Sequence, residues 1–396
     1  MSSEDMSKIP KNSSKLNQNI IAAGITSLFT DISSEMIKPI LPLFLANTLG
    51  VSKSTIGLIE GIAEGASSLF KVISGWLSDK LKKRKNIILF GYSLSNFTKP
   101  LISITQSWQQ VLFLYFLDRS GKGIRGGPRD ALIADSSAKE IRGKAFGFHR
   151  TLDTIGAIIG PLLTYILLSR FLLSYRTIFA VTFIPGIIAL LVIRFRIKDV
   201  PSKKENFKLT FSEVKNIPHH FYYFLFISFI FTLGNSSDAF IILRAENIGV
   251  SIYVIPLLYL LFNLSQAIFS LPAGIVSDWI GRKKIISLGF LIFSSLYFIL
   301  AFIKSVGLIW FVFIMYGLYY AFTEGVQRAF ITDLVSPSIR ATALGLYNFG
   351  IGIAVLLANL IAGFLWEIIN PQATFLFGFS FSLLASVLML FWKYKE

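Results

Sequence analysis

Apolar stretches alternate with short polar segments along the whole chain. Twelve of these stretches have about 20 residues each, the length that an α-helix needs to cross the hydrocarbon core of a bilayer. They are centred near residues 30, 65, 95, 118, 157, 184, 230, 264, 294, 319, 354 and 382. Because the backbone within lipid must satisfy its own hydrogen bonds, each stretch is predicted to be a helix. The pattern therefore predicts an all-α integral membrane protein with twelve transmembrane helices.

Two polar segments recur half a chain apart, which indicates an internal repeat. Residues 75–85 resemble residues 274–284, and residues 129–142 align without a gap on residues 327–340. Duplication of a hydropathic unit is the usual construction of secondary transporters, so we expect two pseudo-symmetric six-helix bundles. The predicted divisions are an N-terminal tail over 1–19, an N-terminal bundle over 20–196, a linker over 197–218 and a C-terminal bundle over 219–396.

Composition and charge favour a membrane location. The chain of 396 residues is 54% hydrophobic and 15% charged, which leaves too little polar surface for a soluble protein of this length. Its formal net charge of +16 comes mainly from basic residues beside the apolar stretches, on the side that would hold both termini and the linker. The positive-inside rule then predicts a multi-pass protein of the cell membrane with both termini in the cytoplasm. Nucleic acid is not an expected partner, because no basic domain lies outside these loops.

Few residues offer enzymatic or metal chemistry. The chain has no cysteine and three histidines, of which His219 and His220 lie at the end of the predicted linker. No Ser-His-Asp, Cys-His or His-x-x-x-His spacing occurs within the apolar stretches. We therefore expect neither an enzyme nor a bound metal or other cofactor. No removable signal peptide is predicted, because the first residues lack an apolar core followed by small residues.

Charged residues nevertheless occur within the apolar stretches, and helical spacing groups them on common faces. Asp31 and Glu35 are one turn apart on the first helix, as are Glu60 and Glu64 on the second. A charge at the bilayer centre costs about 2.5 kcal/mol or more, so these side chains should face the bundle interior or an aqueous cavity. The interior candidates are Asp31, Glu35, Glu60, Glu64, Arg119, Lys122, Arg125, Arg129, Asp153, Asp238, Glu324 and Arg328. The structural alternative is that these acids and bases only neutralise one another.

The recurring loops resemble a known family, the major facilitator superfamily, and the resemblance extends over essentially the whole chain. The family's loop signature is Gly-x-x-x-Asp followed by basic residues. The matching positions are Gly75, Asp79 and Arg84 in the first half and Gly274, Asp278 and Arg282 in the second. The resemblance implies that these residues form a cytoplasmic gate, held closed through charge pairs and helix-terminus interactions.

Two further motifs resemble the same family. The run from Arg119 to Gly123 looks like its fourth-helix pattern, and the run Gly156-Ala-Ile-Ile-Gly160-Pro161 is similar to a motif of antiporting members. Residues 118–135 also resemble a subgroup of prokaryotic permeases commonly labelled efflux proteins. The resemblance implies a transporter in which the two bundles rock about a central cavity, and it favours efflux by antiport.

The expected function is proton-coupled transport of a small solute. A carboxylate in a low-dielectric cavity has its charged form disfavoured, and a nearby arginine or lysine restores it, so proton occupancy can change as the pairing is remade. Asp31, Glu35, Glu60 and Glu64 are the predicted proton carriers, with Arg119 as their partner. The residues predicted to line the substrate cavity are Lys122, Arg125, Arg129, Asp153, Asp238, Glu324 and Arg328.

The sequence leaves the solute and the direction of transport open. Lys122, Arg125 and Arg129 suit an anionic metabolite, whose proton-coupled uptake is the alternative to efflux. Alternatively, these bases pair with the acids of the first two helices while a lipophilic cation is exported. An acid-rich path could instead carry a divalent metal ion through oxygen ligands. A facilitative channel or a membrane receptor is the alternative class of protein, although neither needs two matching loops. We expect protons and membrane lipid as further partners and a monomer as the functional unit.

Overall fold

The computed structural model describes residues 16–81, 84–138, 141–200, 217–336 and 339–394, with the side chains of residues 75–81 and 341 outside that description. Most of the predicted N-terminal tail, namely residues 1–15, therefore lies outside the described residues. Residues 201–216 of the predicted linker also lie outside the described residues, and so do the side-chain surroundings of Gly75 and Asp79. The predicted domain boundaries stay predictions.

The described part of the chain consists of helices and connecting turns, without a strand. Twelve helices span it, and each contains one of the predicted centres, so the prediction of a twelve-helix all-α protein is confirmed. In chain order they are α1 Gln18–Thr48, α2 Lys53–Leu81, α3 Arg84–Leu101, α4 Trp108–Asp135, α5 Arg142–Ser169, α6 Tyr175–Arg196, α7 His219–Asn247, α8 Ile255–Ile280, α9 Arg282–Phe302, α10 Val306–Leu334, α11 Arg340–Ile368 and α12 Pro371–Phe391.

Nine of these helices are long and apolar enough to cross a membrane when the described residues are searched by length and composition. The other three are α2, α3 and α4. Helices α2 and α4 carry several charged residues within their apolar stretches, for example Glu60 and Glu64 on α2, whereas those of α3 lie near its two ends. Because charges in lipid are costly, these three helices must direct their polar faces toward other helices.

The third, fourth and fifth helices of the first half recur in the second half with a shift of 198 residues. α3 begins at Arg84 and α9 at Arg282, while α4 begins at Trp108 and α10 at Val306. Side-chain contacts repeat with the same shift. The Lys85 ammonium donates to the Arg194 carbonyl at 3.0 Å, and the Lys283 ammonium donates to the Trp392 carbonyl. This agreement confirms that the chain folds as two pseudo-symmetric six-helix bundles.

The bundles meet where α2 packs against α11 and where α5 packs against α8. Small residues allow the first of these contacts. A Cβ atom added at Gly57 would lie 2.2 Å from the Asn359 carbonyl oxygen, and one at Gly61 would lie 3.0 Å from the Leu356 carbonyl oxygen. Only glycine lets the two backbones approach so closely, which is how helices commonly associate in membranes.

Helix α7 is broken in the middle. Its first segment ends at Gly234 and its second begins at Asp238, with Ser237 accepting a hydrogen bond from the Ala239 amide at 3.2 Å. The second segment packs against Leu41–Leu43 of α1, in the other bundle. Irregular backbone at membrane depth is tolerated where it is buried in protein or lines a cavity. The break therefore places Ser237 and Asp238 beside the interface between the bundles.

Candidate functional site

A cavity of about 1,090 Å³ lies between the two bundles. At one end its wall includes the buried residues Ile37 of α1 and Ile102, which directly follows α3. At the other end lie the Arg150 and Arg328 side chains, which are 60% and 61% exposed. The cavity thus opens on the side of the bundle that holds residues 16 and 394, here called the terminal side; the opposite side is called the far side.

The structure places all twelve predicted interior side chains on the wall of this cavity. They are Asp31, Glu35, Glu60, Glu64, Arg119, Lys122, Arg125, Arg129, Asp153, Asp238, Glu324 and Arg328. Four of them, Arg119, Lys122, Arg125 and Arg129, belong to α4, which contacts both α2 and α3. The placement of these residues is thereby established, whereas their roles in proton coupling and substrate binding stay predictions.

Arg119 is the centre of a buried network on α4. Its side chain is 4% exposed, and its Nε atom lies 3.3 Å from the Glu64 carboxylate and 3.8 Å from the Asp118 carboxylate. Its Nη2 atom donates to the Tyr115 hydroxyl at 2.7 Å. Asp118 in turn accepts a hydrogen bond from Ser95 on α3. One arginine therefore neutralises two acids on two helices. Removing it would leave two buried carboxylates without a cation, which strongly destabilises a protein.

Glu60 has a different environment, because its partner is uncharged and belongs to the other bundle. The Ser237 hydroxyl, at the break in α7, donates to Glu60 Oε2 at 2.9 Å. The Ser237 amide donates to Asn359 Oδ1 at 2.7 Å, and Asn359 is the residue that Gly57 contacts across the interface. Among the described residues no basic group lies within ion-pair distance of Glu60, which is 4% exposed.

The acids of α1 are positioned by glycines of α5. A Cβ atom at Gly156 would lie 3.0 Å from the Asp31 Cβ atom, and one at Gly160 would lie 2.7 Å from the Glu35 Cβ atom. The antiporter-like motif therefore serves as a close-packing surface for the acidic face of α1, with Pro161 buried just beyond it. Glu35 pairs with Lys38 at 2.6 Å, and Asp31 forms no ion pair with any described residue.

The terminal end of the cavity contains an ion pair between the bundles. Glu324 on α10 lies 3.3 Å from Arg150 of α5 and 3.3 Å from Arg328, one turn along its own helix. Gln266 on α8 donates to the same carboxylate at 2.9 Å. Glu324 and Arg328, both predicted cavity residues, thus form an ion pair, and Arg150 extends it across the interface. Because these arginines are well exposed, the pairs contribute little to stability and can part easily.

Asp238 lies among aromatic rings of the C-terminal bundle. Its Oδ1 atom accepts hydrogen bonds from Tyr316 at 2.9 Å and Tyr320 at 3.4 Å, and its Oδ2 atom accepts one from Tyr259 at 3.2 Å. The Phe262 ring lies between these tyrosines, with ring centroids 5.2 to 5.3 Å away. Sequence spacing had indicated Asp238 but none of these aromatic neighbours.

Lys99 is a cavity residue that sequence reasoning missed. It is 1% exposed, and its Nζ atom donates to the Ser34 hydroxyl at 2.9 Å. Its only sequence signal is a basic residue directly before Pro100, near the end of the third apolar stretch, where a lysine usually extends to the membrane surface. Cavity residues Asn235, Asn263, Gln266 and Asn359 were also missed, because uncharged polar residues are common in membrane helices.

The loops predicted to form the gate contain an ion pair that repeats in both halves. Arg84 at the start of α3 pairs with Asp135 at the end of α4, and Arg282 at the start of α9 pairs with Asp333 on α10. Arg282 also lies 3.3 Å from Asp278. A Cβ atom at Gly274 would meet nothing within 4 Å. Gly75 and Asp79 lie where side chains are not described, and the gating role of all six residues stays a prediction.

Several known proteins resemble this chain. The family model of the Major Facilitator Superfamily matches residues 23–243 and 224–396. An uncharacterized MFS-type transporter of Methanocaldococcus jannaschii is 39% identical over 395 residues, which cover 98% of each chain. The multidrug resistance protein MdtG of Rahnella sp. is 28% identical over 213 residues, 50% of each chain. The fold is shared by a mutant form of the nucleoside transporter NupG, with a TM-score of 0.80 and 16% identity over 94% of this chain and 99% of that one. The chain belongs to the Major Facilitator Superfamily and is a multi-pass membrane transporter.

Proposed function

We propose that this transporter exports a small polar solute in exchange for protons, by alternating access of the cavity between the bundles. The observation that carries the proposal is the position of Glu60, a buried carboxylate bonded to the opposite bundle through a neutral hydroxyl. Asp31, Glu35 and Glu64 line the same cavity and are proposed to share the proton pathway.

Glu60 is suited to carry a proton because its protonation leaves no cation without a partner. Protonation of Glu64, by contrast, would leave Arg119 with Asp118 alone, 3.8 Å away. A protonated Glu60 becomes a hydrogen-bond donor as well as an acceptor, so its bond to Ser237 can be reversed or exchanged for another. The proton thereby changes a contact that must rearrange when the bundles rock.

Arg119 is proposed as the internal cation that the carboxylates exchange. It holds Glu64 at 3.3 Å, and Glu60 lies one turn away from Glu64 on the same face of α2. When a proton arrives on Glu64, Arg119 is free to turn toward a different acid of the cavity. Such exchange of one buried cation among several acids couples proton occupancy to the shape of the cavity.

The cavity wall favours a polar solute. Nine aspartate or glutamate and nine lysine or arginine side chains line it in the described part of the chain. A lipophilic drug entering this space would have to desolvate many of these groups without replacing their hydrogen bonds, which is unfavourable. The exported compound is therefore proposed to be hydrophilic and to carry charge.

Export is proposed as the direction because of two resemblances. Half of the chain is similar to a protein named for multidrug resistance, and α5 contains the antiporter-like Gly156, Gly160 and Pro161. Proton-coupled uptake of an anion is the second candidate. The specific observation that favours it is the set of cavity cations Lys99, Lys122 and Arg125, none of which forms an ion pair with a described carboxylate.

The test uses purified protein in liposomes that contain a pH-sensitive dye. Polar solutes that stabilise the protein against heat are added to one side, and the internal pH is recorded. We expect solute-dependent proton movement in the opposite direction to the solute. Glu60→Gln should abolish proton movement while solute exchange between equal pools continues, because exchange needs no change in protonation.

The matched control is Asp199→Asn, which alters an exposed carboxylate outside the cavity that accepts a hydrogen bond from the Lys85 amide at 2.8 Å. It should leave proton movement unchanged. The proposed coupling would be overturned if a variant with both Glu60→Gln and Glu64→Gln still moved protons at the full rate when solute is added. Protons moving in the same direction as the solute would replace export by uptake.

A further inference from the structure

The cavity wall formed by the N-terminal bundle has cations that lack acidic partners. Lys122 is exposed to the cavity and forms no ion pair with a described residue. Arg125 is 4% exposed, and its buried Nη1 atom has no hydrogen-bond partner in the part of the chain that the structure describes. The Arg125 guanidinium lies 4.2 Å from the centroid of the Tyr92 ring. Among the described residues, the Lys99 ammonium bonds to the Ser34 hydroxyl alone. A buried guanidinium nitrogen without an acceptor is costly, so an acceptor from the solute is expected there.

The wall formed by the C-terminal bundle has the opposite feature. Asp238 faces the cavity and is held by three tyrosine hydroxyls, yet no basic side chain of the described chain lies within ion-pair distance. Tyr259, Tyr320 and Phe262, which line the cavity beside it, present aromatic rings. A carboxylate bordered by aromatic rings suits a compact cation such as an ammonium group, because the ring faces attract positive charge.

The two walls therefore carry complementary excess charge. The cavity residues of the N-terminal bundle include eight basic and seven acidic side chains, whereas those of the C-terminal bundle include one basic and two acidic side chains. The walls differ in sign although the cavity as a whole is neutral. A solute with separated positive and negative groups would match both walls at once.

We infer that the solute is a zwitterion, whose anionic group binds Lys99, Lys122 and Arg125 of the N-terminal bundle and whose ammonium group binds Asp238 between Tyr259, Phe262 and Tyr320. This inference rests on the proposed transport function and names the class of compound carried. Arginine suits the anionic end, because its planar fork matches a carboxylate or a phosphate.

Such a solute would also connect the bundles. The anion-binding residues lie on α3 and α4, whereas Asp238 begins the second segment of α7. A zwitterion that spans the cavity attracts both walls and favours a closed cavity around itself. A simple anion or cation would bind one wall only and would leave the opposite excess charge without a partner. Binding and closure would thus be linked by the solute's own charge separation.

The test is a thermal stability screen of the full-length protein in detergent at fixed pH. The probes are amino acids, dipeptides and phosphoethanolamine, each beside its N-acetyl derivative and, for the carboxylates, its amide. We expect at least one zwitterion to raise the melting temperature of the protein. Each of its blocked derivatives should bind at least about tenfold more weakly. Asp238→Asn should weaken binding of the zwitterion by at least about tenfold. The variant should also bind the zwitterion no more tightly than its N-acetyl derivative.

Matched variants make the result specific. Lys122→Gln should bind the zwitterion no more tightly than its amide. Asp199→Asn should still bind the zwitterion more tightly than either blocked derivative. If Asp238→Asn does not fold, the comparison of blocked and unblocked compounds on the unaltered protein still decides. Failure of every zwitterion to stabilise that protein, or equal stabilisation by a blocked derivative, would overturn the inference. Binding in detergent needs no proton gradient, so a zwitterion that binds without moving protons would refute the coupling and leave this inference intact.

Discussion

Replacing Gly160 by alanine should separate α1 from α5. The added Cβ atom would lie 2.7 Å from the Glu35 Cβ atom and 2.9 Å from the Ile32 carbonyl oxygen. Ordinary contacts between such atoms are about 3.5 to 4.0 Å long, so one backbone must move by roughly an ångström. Since both nearest atoms belong to or adjoin the main chain of α1, no side-chain rotation can relieve the clash.

The magnitude follows from two opposing effects. Overpacking of this kind costs about 1–3 kcal/mol. Alanine is the better helix former by about 0.8–1.0 kcal/mol, which offsets part of that cost. Gly143 on the same helix provides the matched control, because a Cβ atom there would meet nothing within 4 Å. The difference in stability between Gly160→Ala and Gly143→Ala therefore isolates the contact with α1 at about 1–3 kcal/mol.

The assay is thermal unfolding of the two purified variants in the same detergent, followed by solute-driven proton movement in liposomes. Gly160→Ala should melt at a lower temperature than Gly143→Ala and should lose most of its proton movement, because Glu35 is displaced with α1. Equal melting temperatures, or a more stable Gly160→Ala variant, would refute the claim that this glycine sets the distance between the helices.

Two further predictions concern the ion pairs. Arg84→Ala should lower the free energy of unfolding by about 3–5 kcal/mol, because the Arg84 side chain is only 7% exposed and its loss leaves Asp135 without its partner. Arg282→Ala should lower it by about 1 kcal/mol or less, because the Arg282 side chain is 25% exposed. Equal losses for the two variants in denaturant unfolding would contradict this reasoning. Arg119→Ala should destabilise the protein by up to about 3–5 kcal/mol by leaving Glu64 and Asp118 without a cation, and adding Glu64→Ala should recover part of that loss in the same measurement.

The helices and the acidic faces could be predicted from the sequence because each depends on local spacing. A lipid environment requires long apolar stretches, and a charge within one of them has few places to go except the interior. Asp31 and Glu35 on α1 and Glu60 and Glu64 on α2 therefore reach the cavity as expected. The 198-residue repeat likewise gave the two bundles, since duplicated sequence folds into duplicated structure.

The partners of these residues could not be predicted, because they depend on which helices meet. Lys99 looked like a helix-end residue, yet the chain continues through a further turn at Ile102–Ile104 and keeps it buried. The tyrosines around Asp238 come from α8 and α10, and no spacing along one helix connects them. Aromatic residues are so common in this chain that only their three-dimensional arrangement separates a binding wall from lipid-facing bulk.

The same arrangement explains why coupling is expected at Glu60 more than at Asp31. Closing the terminal side of the cavity requires the bundles to part on the far side, where the Lys53 amide bonds to Glu367 at 2.8 Å and the Ser54 hydroxyl bonds to the Gly363 carbonyl at 3.2 Å. Glu60 lies on the same helix, two turns beyond Lys53, and its bond to Ser237 belongs to that interface. Asp31 packs instead against α5 within its own bundle, where rigid-body rocking changes nothing. In the proposed mechanism a proton on Glu60 would therefore act at a contact that has to break, whereas a proton on Asp31 would act only through the solute in the cavity.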